Sequence, residues 1–377
     1  MRQKSSFRWC DMEGVTRLYI LDDARDYPLT SHITEMLGCA PRYVSGLADV
    51  PESENDADGT LVLAAHRGRI VKRCPGTRRH ICCNYHVVNQ VLGCGLGCTY
   101  CILQDYLNAP GTLINVNIED TFRELDRALA RRRKYIYRVG TGELADSFHL
   151  DEMTGLSRRF VSYARDKGGM IFELKTKSDA IDHILDLDHG GRTIVSWSLN
   201  ARSIARREEQ NAPSIEARLE AAQRAAKAGY FLGFHFDPLV DFTGWREEYR
   251  DTVRMIFDAV DPGRILWVSL GTFRCPPGLM RIINRRYPES VLLSGESFPG
   301  DDGKLRYLKS IRVEMYTEML RWLKEGDPDL FVYLCMERRD VWERVFGPID
   351  PIPKNNAGLD RLFHESLTRR WAPHVEG

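Results

Sequence analysis

At 377 residues, with 43% hydrophobic and 28% charged residues, the chain has the composition of a soluble globular protein and the length for one large domain or two. Lys+Arg and Asp+Glu each number 53, so the whole chain lacks the cationic excess on which phosphate-backbone binding draws, although a local basic face stays open. No apolar run nears the roughly 20 residues that span a bilayer, and the opening MRQKSSFRWCDMEG has no apolar secretory core; a cytoplasmic protein without a membrane partner is expected.

Residues 1–85 mix an apolar TRLYILDD, a helical YPLTSHITEMLG, an acidic loop DVPESENDADG and a strand-like TLVLAA, and are expected to form an N-terminal α/β extension. A regular alternation then begins. HVVNQVL precedes a helix around IEDTFRELDRALARRR; KYIYRVGTG precedes a helix beginning near Asp151; MIFELKT precedes a helical SDAIDHILDLDHG. TIVSWSLN is followed by the long helix SIEARLEAAQRAAKAG, YFLGFHFDPL by WREEYRDTVRMIFDAV, and RILWVSLGTF closes the series. Strand and helix repeated about six times predict a parallel α/β sheet, either doubly wound or curled into a barrel, over residues 86–277. Residues 278–377 turn helical in IRVEMYTEMLRWLKEG, add one strand-like LFVYLCM, and are expected to pack on that unit as a C-terminal helical extension.

Of ten cysteines, only Cys94, Cys98 and Cys101 form a compact group, in GCGLGCTYCILQ. A reducing compartment argues against a disulfide framework. The group falls on the loop after the first strand of the alternation, where parallel sheets carry their chemistry. A structural zinc site would want a fourth protein ligand, for which His86 is the nearest candidate. An iron–sulfur cluster held by three thiolates would leave one iron open to a substrate. Gly93, Gly95 and Gly97 suit a loop wrapped closely round such a cluster, since glycine takes left-handed conformations at little cost.

The spacing Cys94-x-x-x-Cys98-x-Tyr100-Cys101 resembles the signature of the radical S-adenosylmethionine superfamily. The resemblance implies a partial (β/α)6-type parallel barrel with N-terminal and C-terminal additions, a [4Fe-4S] cluster, and S-adenosyl-L-methionine chelated at the open iron. One electron, from a donor such as flavodoxin or ferredoxin, would then cleave the sulfonium to a 5′-deoxyadenosyl radical. Within the superfamily, CTYCILQDYLNAPGTLINVNIED, AIDHILDLDHGGRT, SWSLNAR, RLEAAQRAAKAGYFLGFHFDPL, GWREEYR and the N-terminal YILDDARDYPLT are collinear with spore photoproduct lyases over roughly residues 18–340.

The chain departs from those repair enzymes where the hydrogen relay is decided. They carry a donor cysteine in the loop after the second strand, where this chain has GTGELADS (140–147), with no cysteine between Cys101 and Cys275; Ile102 stands where they carry a relay tyrosine. The expectation is therefore hydrogen abstraction from a nucleoside- or nucleotide-like small molecule, ending in epimerisation, dehydrogenation or rearrangement. Thymine-dimer repair in DNA is the alternative, and a non-catalytic iron–sulfur protein the second.

The superfamily also implies that Gly140, Thr141, Gly142 and Glu143 form the turn that binds the cofactor's ammonium, a charge-assisted contact. Tyr100, Lys177, Ser198 and Asn200 are further cofactor-binding candidates. His235 and Asp237 share a face of their strand by its period of two and are expected to meet substrate. Arg274 has the planar fork of an anion clamp. Cys275 is the expected hydrogen donor, with Tyr100 another catalytic candidate; a buried small residue is the alternative reading of Cys275.

Overall fold

The computed structural model describes residues 14–51, 59–77, 79–107, 109–131, 135–347 and 350–374. Cys10, most of the acidic loop and part of the basic stretches at 73–80 and 127–134 lie outside the described residues. The chain begins with β1 (Arg17–Leu21), α1 (Pro28–Leu37), β2 (Arg42–Val44), β3 (Thr60–Ala64), β4 (Val71–Arg73), β5 (His86–Val88) and β6 (Val91–Leu92). The short α2 (Leu103–Tyr106), β7 (Thr112–Asn115), α3 (Ile118–Arg131), β8 (Tyr137–Thr141), α4 (Asp151–Thr154), α5 (Leu156–Arg165) and β9 (Met170–Thr176) follow. Next come β10 (Thr193–Ser198), α6 (Arg202–Glu208), α7 (Ile215–Lys227), β11 (Phe231–Leu239), α8 (Trp245–Ala259), β12 (Ile265–Thr272), β13 (Arg274–Cys275) and α9 (Pro277–Arg286). The last part adds β14 (Phe298–Pro299), β15 (Leu305–Arg306), α10 (Lys309–Gly326), β16 (Val332–Leu334), α11 (Arg339–Phe346) and α12 (Asn356–Arg370).

The larger sheet runs β16-β12-β11-β10-β9-β8-β5-β4. It is parallel throughout except for the β4–β5 pair, and it curls into a half-barrel. Its central strands are covered on both faces, which is why β12 reads as a nearly unbroken apolar run rather than an alternating one, while β9 becomes alternating only after Phe172, toward its carboxyl end. The helix α7 starts where Ser214 accepts a hydrogen bond from the Ala217 amide at 3.2 Å, an N-cap visible in the sequence.

One expected helix is absent: SDAIDHILDLDHG forms only a single 3-10 turn, Asp182–Ile184. Thr176 and Ser178 side chains take the amides of Ser178 and Ala180 at 2.7 and 3.1 Å, and such local bonds compete with the helical ladder. Buried Ile181 and Ile184 then anchor the turn.

The expected boundaries at 85/86 and 277/278 do not separate the sheets. β6 and β7 pair into a smaller sheet, β2-β1-β3-β7-β6, with the N-terminal strands; β4 joins the half-barrel, and so does β16 beside β12. The main hydrophobic core runs from Leu18 and Ile33 through Trp197 to Phe363, and Tyr19, Val50 and Val62 form a small second cluster. The open side of the half-barrel is met by residues 79–85, where the Ile81 amide donates to the Glu337 carbonyl at 2.8 Å in an isolated antiparallel bridge. Among the described residues no helix is long and apolar enough to cross a membrane.

Candidate active site

The loop between β6 and α2 carries Cys94, Cys98 and Cys101, and its backbone is tied down on several sides. The Gly93 amide donates to Leu144 (2.8 Å), Thr99 to Glu208 (2.8 Å) and Asn211 to Leu96 (3.0 Å). The Gln104 amide group bonds the Cys98 and Thr99 carbonyls at 3.0 Å each, and Asn211 bonds that of Gly95 at 2.9 Å. Gly97 has φ 63°, the left-handed conformation expected of it. Gly95 is needed for a different reason: a Cβ there would come within 2.6 Å of the His149 ring.

The loop lines a cavity of about 550 Å³ together with the carboxyl ends of the barrel strands. None of the three is in a disulfide, and all three line it. Burial pushes the Cys98 thiol up to about 12 and Cys94 higher still, so both stay protonated unless a cation is present. Three convergent thiols on a glycine-rich loop, with no fourth protein ligand among the described residues, fit a cubane held at three corners. His86 instead packs edge-on against Tyr137, with ring centroids 5.4 Å apart, and does not line the cavity.

Of the residues expected from sequence, the cavity gathers the three cysteines, Tyr100, Gly142, Glu143, Lys177, Ser198 and Asp237. The Tyr100 hydroxyl donates to Glu209, a carboxylate 1% exposed that also accepts from the fully buried Arg218. Arg218 further donates to the Ser198 carbonyl at 3.0 Å, which links the cluster loop to the end of β10. Burial works against charge on Glu209, but Arg218 and Lys177 hold its carboxyl below the usual range. Replacing Arg218 with Met should therefore lower stability by about 3–5 kcal/mol, because it strands a buried charge. Chemical denaturation reads this directly, and a loss under about 1 kcal/mol would contradict it.

Other expected residues fall outside the cavity. Gly140 lies in β8 with the Tyr85 hydroxyl and Glu173 filling the space a side chain would need, and the Thr141 hydroxyl closes its own loop on Ser147 at 2.7 Å. Asn200 is buried; its side chain accepts from Tyr249 (2.6 Å) and donates to the Pro238 carbonyl (3.2 Å), so it braces strand ends. His235 lies deeper in the barrel against Glu173 at 2.8 Å, and, against the opposing effect of burial, this neighbour keeps the Glu173 carboxyl at about 2.

Arg274 does not offer its fork to the cavity: both nitrogens face Asp237, at 3.2 and 3.3 Å. Cys275 is fully buried, on a strand paired to β15, and does not line the cavity, so the small-residue reading describes it. Glu143 faces a cation of the chain's own, Lys175, at 3.8 Å.

Sequence reasoning passed over Lys175, Asp146, Gln210, Asn211, Arg286 and Tyr287, all of which line the cavity. Lys175 carried a signal, since it alternates with Glu173 and Lys177 along β9. Asp146 carried none: it works by accepting the Lys177 amide (2.6 Å) and the Thr176 hydroxyl (2.7 Å) across a loop.

A curled parallel sheet with a three-cysteine loop at its carboxyl-end mouth defines a half-barrel enzyme of the radical S-adenosylmethionine class. The model of the family described as spore photoproduct lyase matches residues 81–310. The spore photoproduct lyase of Geobacillus sp. (strain Y412MC61) is 31% identical over 74% of this chain and 84% of its own length. That of Bacillus subtilis (strain 168) is 30% identical over 53% of this chain and 59% of its own.

Among solved structures, a doubly substituted spore photoproduct lyase with bound AdoMet and dinucleoside spore photoproduct aligns with a TM-score of 0.76 at 23% identity, over 85% of this chain and 99% of that one. A second, complexed with dinucleoside spore photoproduct, aligns at 0.74 and 24%, over 84% and 98%. The chain belongs to the spore photoproduct lyase family. It is accordingly a radical enzyme of lyase type whose cofactors are a [4Fe-4S] cluster and S-adenosylmethionine.

Proposed function

We propose that the protein repairs a thymine photoproduct in DNA, the alternative reading of its sequence, rather than tailoring a small nucleoside-like molecule. The family match across the site and the solved relatives bound to dinucleoside spore photoproduct support this. Sequence reasoning turned away from repair because the loop 140–147 has no cysteine. The observation that restores it is a second set of thiols beside the cavity floor. Cys335 ends β16 with its sulfur 3.5 Å from Arg274, the residue clamped on cavity-lining Asp237. Cys74 has Glu143 and Lys175, both cavity residues, as charged neighbours, and Cys82 and Cys83 adjoin it.

The cofactors, when bound, supply a 5′-deoxyadenosyl radical that removes one hydrogen atom from the lesion. The chain's own part is to hold and finish the reaction. Cys94, Cys98 and Cys101 would hold the cluster; Glu143 and Lys177 offer opposite charges for the zwitterionic end of the cofactor. The lesion's cross-link then breaks homolytically, and the product radical takes a hydrogen atom from a thiol of the second set, leaving a sulfur radical in exchange.

With dithionite, S-adenosylmethionine and dinucleoside spore photoproduct under anaerobic conditions, the reconstituted protein should yield the unlinked thymine dinucleotide together with 5′-deoxyadenosine. Formation of 5′-deoxyadenosine with the lesion untouched, and turnover of a free nucleoside in its place, would return the small-molecule reading.

A further inference from the structure

We infer that the outer face of the cluster loop is a docking surface for a small acidic one-electron carrier protein; this rests on the reading above, in which the site must receive an electron. Two helices frame that face. The carboxyl end of α6 is pinned to it because the Glu208 carbonyl accepts the Thr99 amide, while the Glu208 carboxylate accepts the Ser290 hydroxyl and the Val291 amide at 2.9 Å each. The carboxyl end of α9 is pinned by Arg286, which donates to Gln104 at 3.4 Å. Arg206 and Arg207 on α6, and Arg281, Arg285 and Arg286 on α9, are all exposed.

Arg206, Arg281 and Arg285 differ from most of the chain's surface arginines in their partners. Surface arginines elsewhere, such as Arg158, Arg246, Arg321 and Arg339, hold carboxylates. Arg206, Arg281 and Arg285 have no carboxylate partner among the described residues, and Arg207 reaches only the Glu289 carbonyl, at 3.5 Å. Arg281 and Arg285 stand four apart on one helix face, a like-charge spacing that costs helix stability unless something compensates it. The nearby acid Asp105 is directed at the start of α9, so close that a side chain on Gly278 would overlap its carboxylate. Beside α9, Tyr106 is an exposed apolar residue, at 65%, and Ile102, which also lines the cavity, is exposed at its rim.

An apolar centre within a cationic rim suits the small, transient encounters of electron-transfer partners, in which charge sets the rate of approach. An acidic carrier seated there would face the thiol loop through a single layer of protein. One electron leaves the carrier's reduced flavin or iron–sulfur centre and enters the cluster; no atom or proton need move. A polyanionic nucleic acid would also be drawn to arginines. The face is favoured for a carrier because the polar groups that a lesion must reach, Lys175 and Asp237, lie at the barrel's strand ends.

The test compares two reductants in Arg206→Glu/Arg281→Glu/Arg285→Glu, none of which lines the cavity. With reduced flavodoxin as donor, 5′-deoxyadenosine formation should fall about tenfold or more at low ionic strength, and the gap from wild type should narrow as salt rises. With dithionite the variant should match wild type. Equal rates with flavodoxin would overturn the proposal. So would a matching loss with dithionite, or a dithionite-driven loss seen with oligonucleotide but not dinucleoside substrate, which would make the arginines a nucleic-acid grip. If wild type forms no 5′-deoxyadenosine even with dithionite, the functional reading itself fails, a result distinct from each of these.

Discussion

Replacing any one of Cys94, Cys98 and Cys101 with Ala is expected to reduce 5′-deoxyadenosine formation to the level of a protein-free control. The wild-type chain, reconstituted anaerobically, should carry about four irons and four sulfides. Each variant should lose the visible absorbance of the cluster. The physical reason lies in the geometry of the loop: among the described residues the three thiols are the only cysteines lining the cavity, and no histidine or carboxylate completes a set with them. Backbone bonds from Leu144, Glu208 and Asn211, rather than the thiols, hold the loop in shape. The far-ultraviolet circular dichroism of the variants should therefore stay that of wild type. A single-cysteine variant that kept full cofactor cleavage would refute the assignment of these ligands.

The second large effect concerns the return of the hydrogen atom. Cys335→Ala should lower repaired product by about tenfold or more while 5′-deoxyadenosine continues to form, because an S–H bond yields hydrogen far more readily than a C–H bond and Cys335 is the thiol of the second set that touches Arg274, the partner of cavity-lining Asp237. Burial, with Asp237 beside it, holds the Cys335 thiol well above its ordinary pKa, against the opposing charge of Arg274. It is thus an S–H donor at neutral pH, and since its folded pKa is raised, deprotonation between pH 7 and 9 should not diminish the reaction. In deuterated solvent, the wild-type product should gain a deuterium through the exchangeable thiol, and the variant should lose that label. Cys275→Ala, which alters a residue sealed away from the cavity, should leave both yield and label as in wild type. Cys335→Ala and Cys74→Ala variants that each kept wild-type yield and label would remove both thiols from the mechanism.

The sequence was most legible where chemistry demands local spacing. Cys94, Cys98 and Cys101 sit within one loop, and half-barrel strands such as β12 declare themselves because burial on both faces makes them largely apolar. It was least legible where function is assembled across the fold. Arg274 reads as an anion clamp until the structure sets it against Asp237, 37 positions earlier in the chain. Cys335 reads as an isolated cysteine until β16 is found beside β12, and Asp146 carries no signal until the chain just after β9 folds onto it. Cys275 shows the opposite error: a strand end in a barrel suggests access to the mouth, but β13 turns aside to pair with β15 and takes the thiol into the core.

The bridge between Ile81 and Glu337 bears on how the protein matures. A chain emerges from the ribosome N-terminus first, and its parts fold as they appear. The thiol loop and the strands up to β12 are therefore available well before Glu337 has been synthesised, and until then the flank of the half-barrel has nothing to bridge to. That flank closes only when the residues after β16 arrive and Ile81 finds its partner. A chain truncated before residue 337 would lack the closure, however complete its thiol loop.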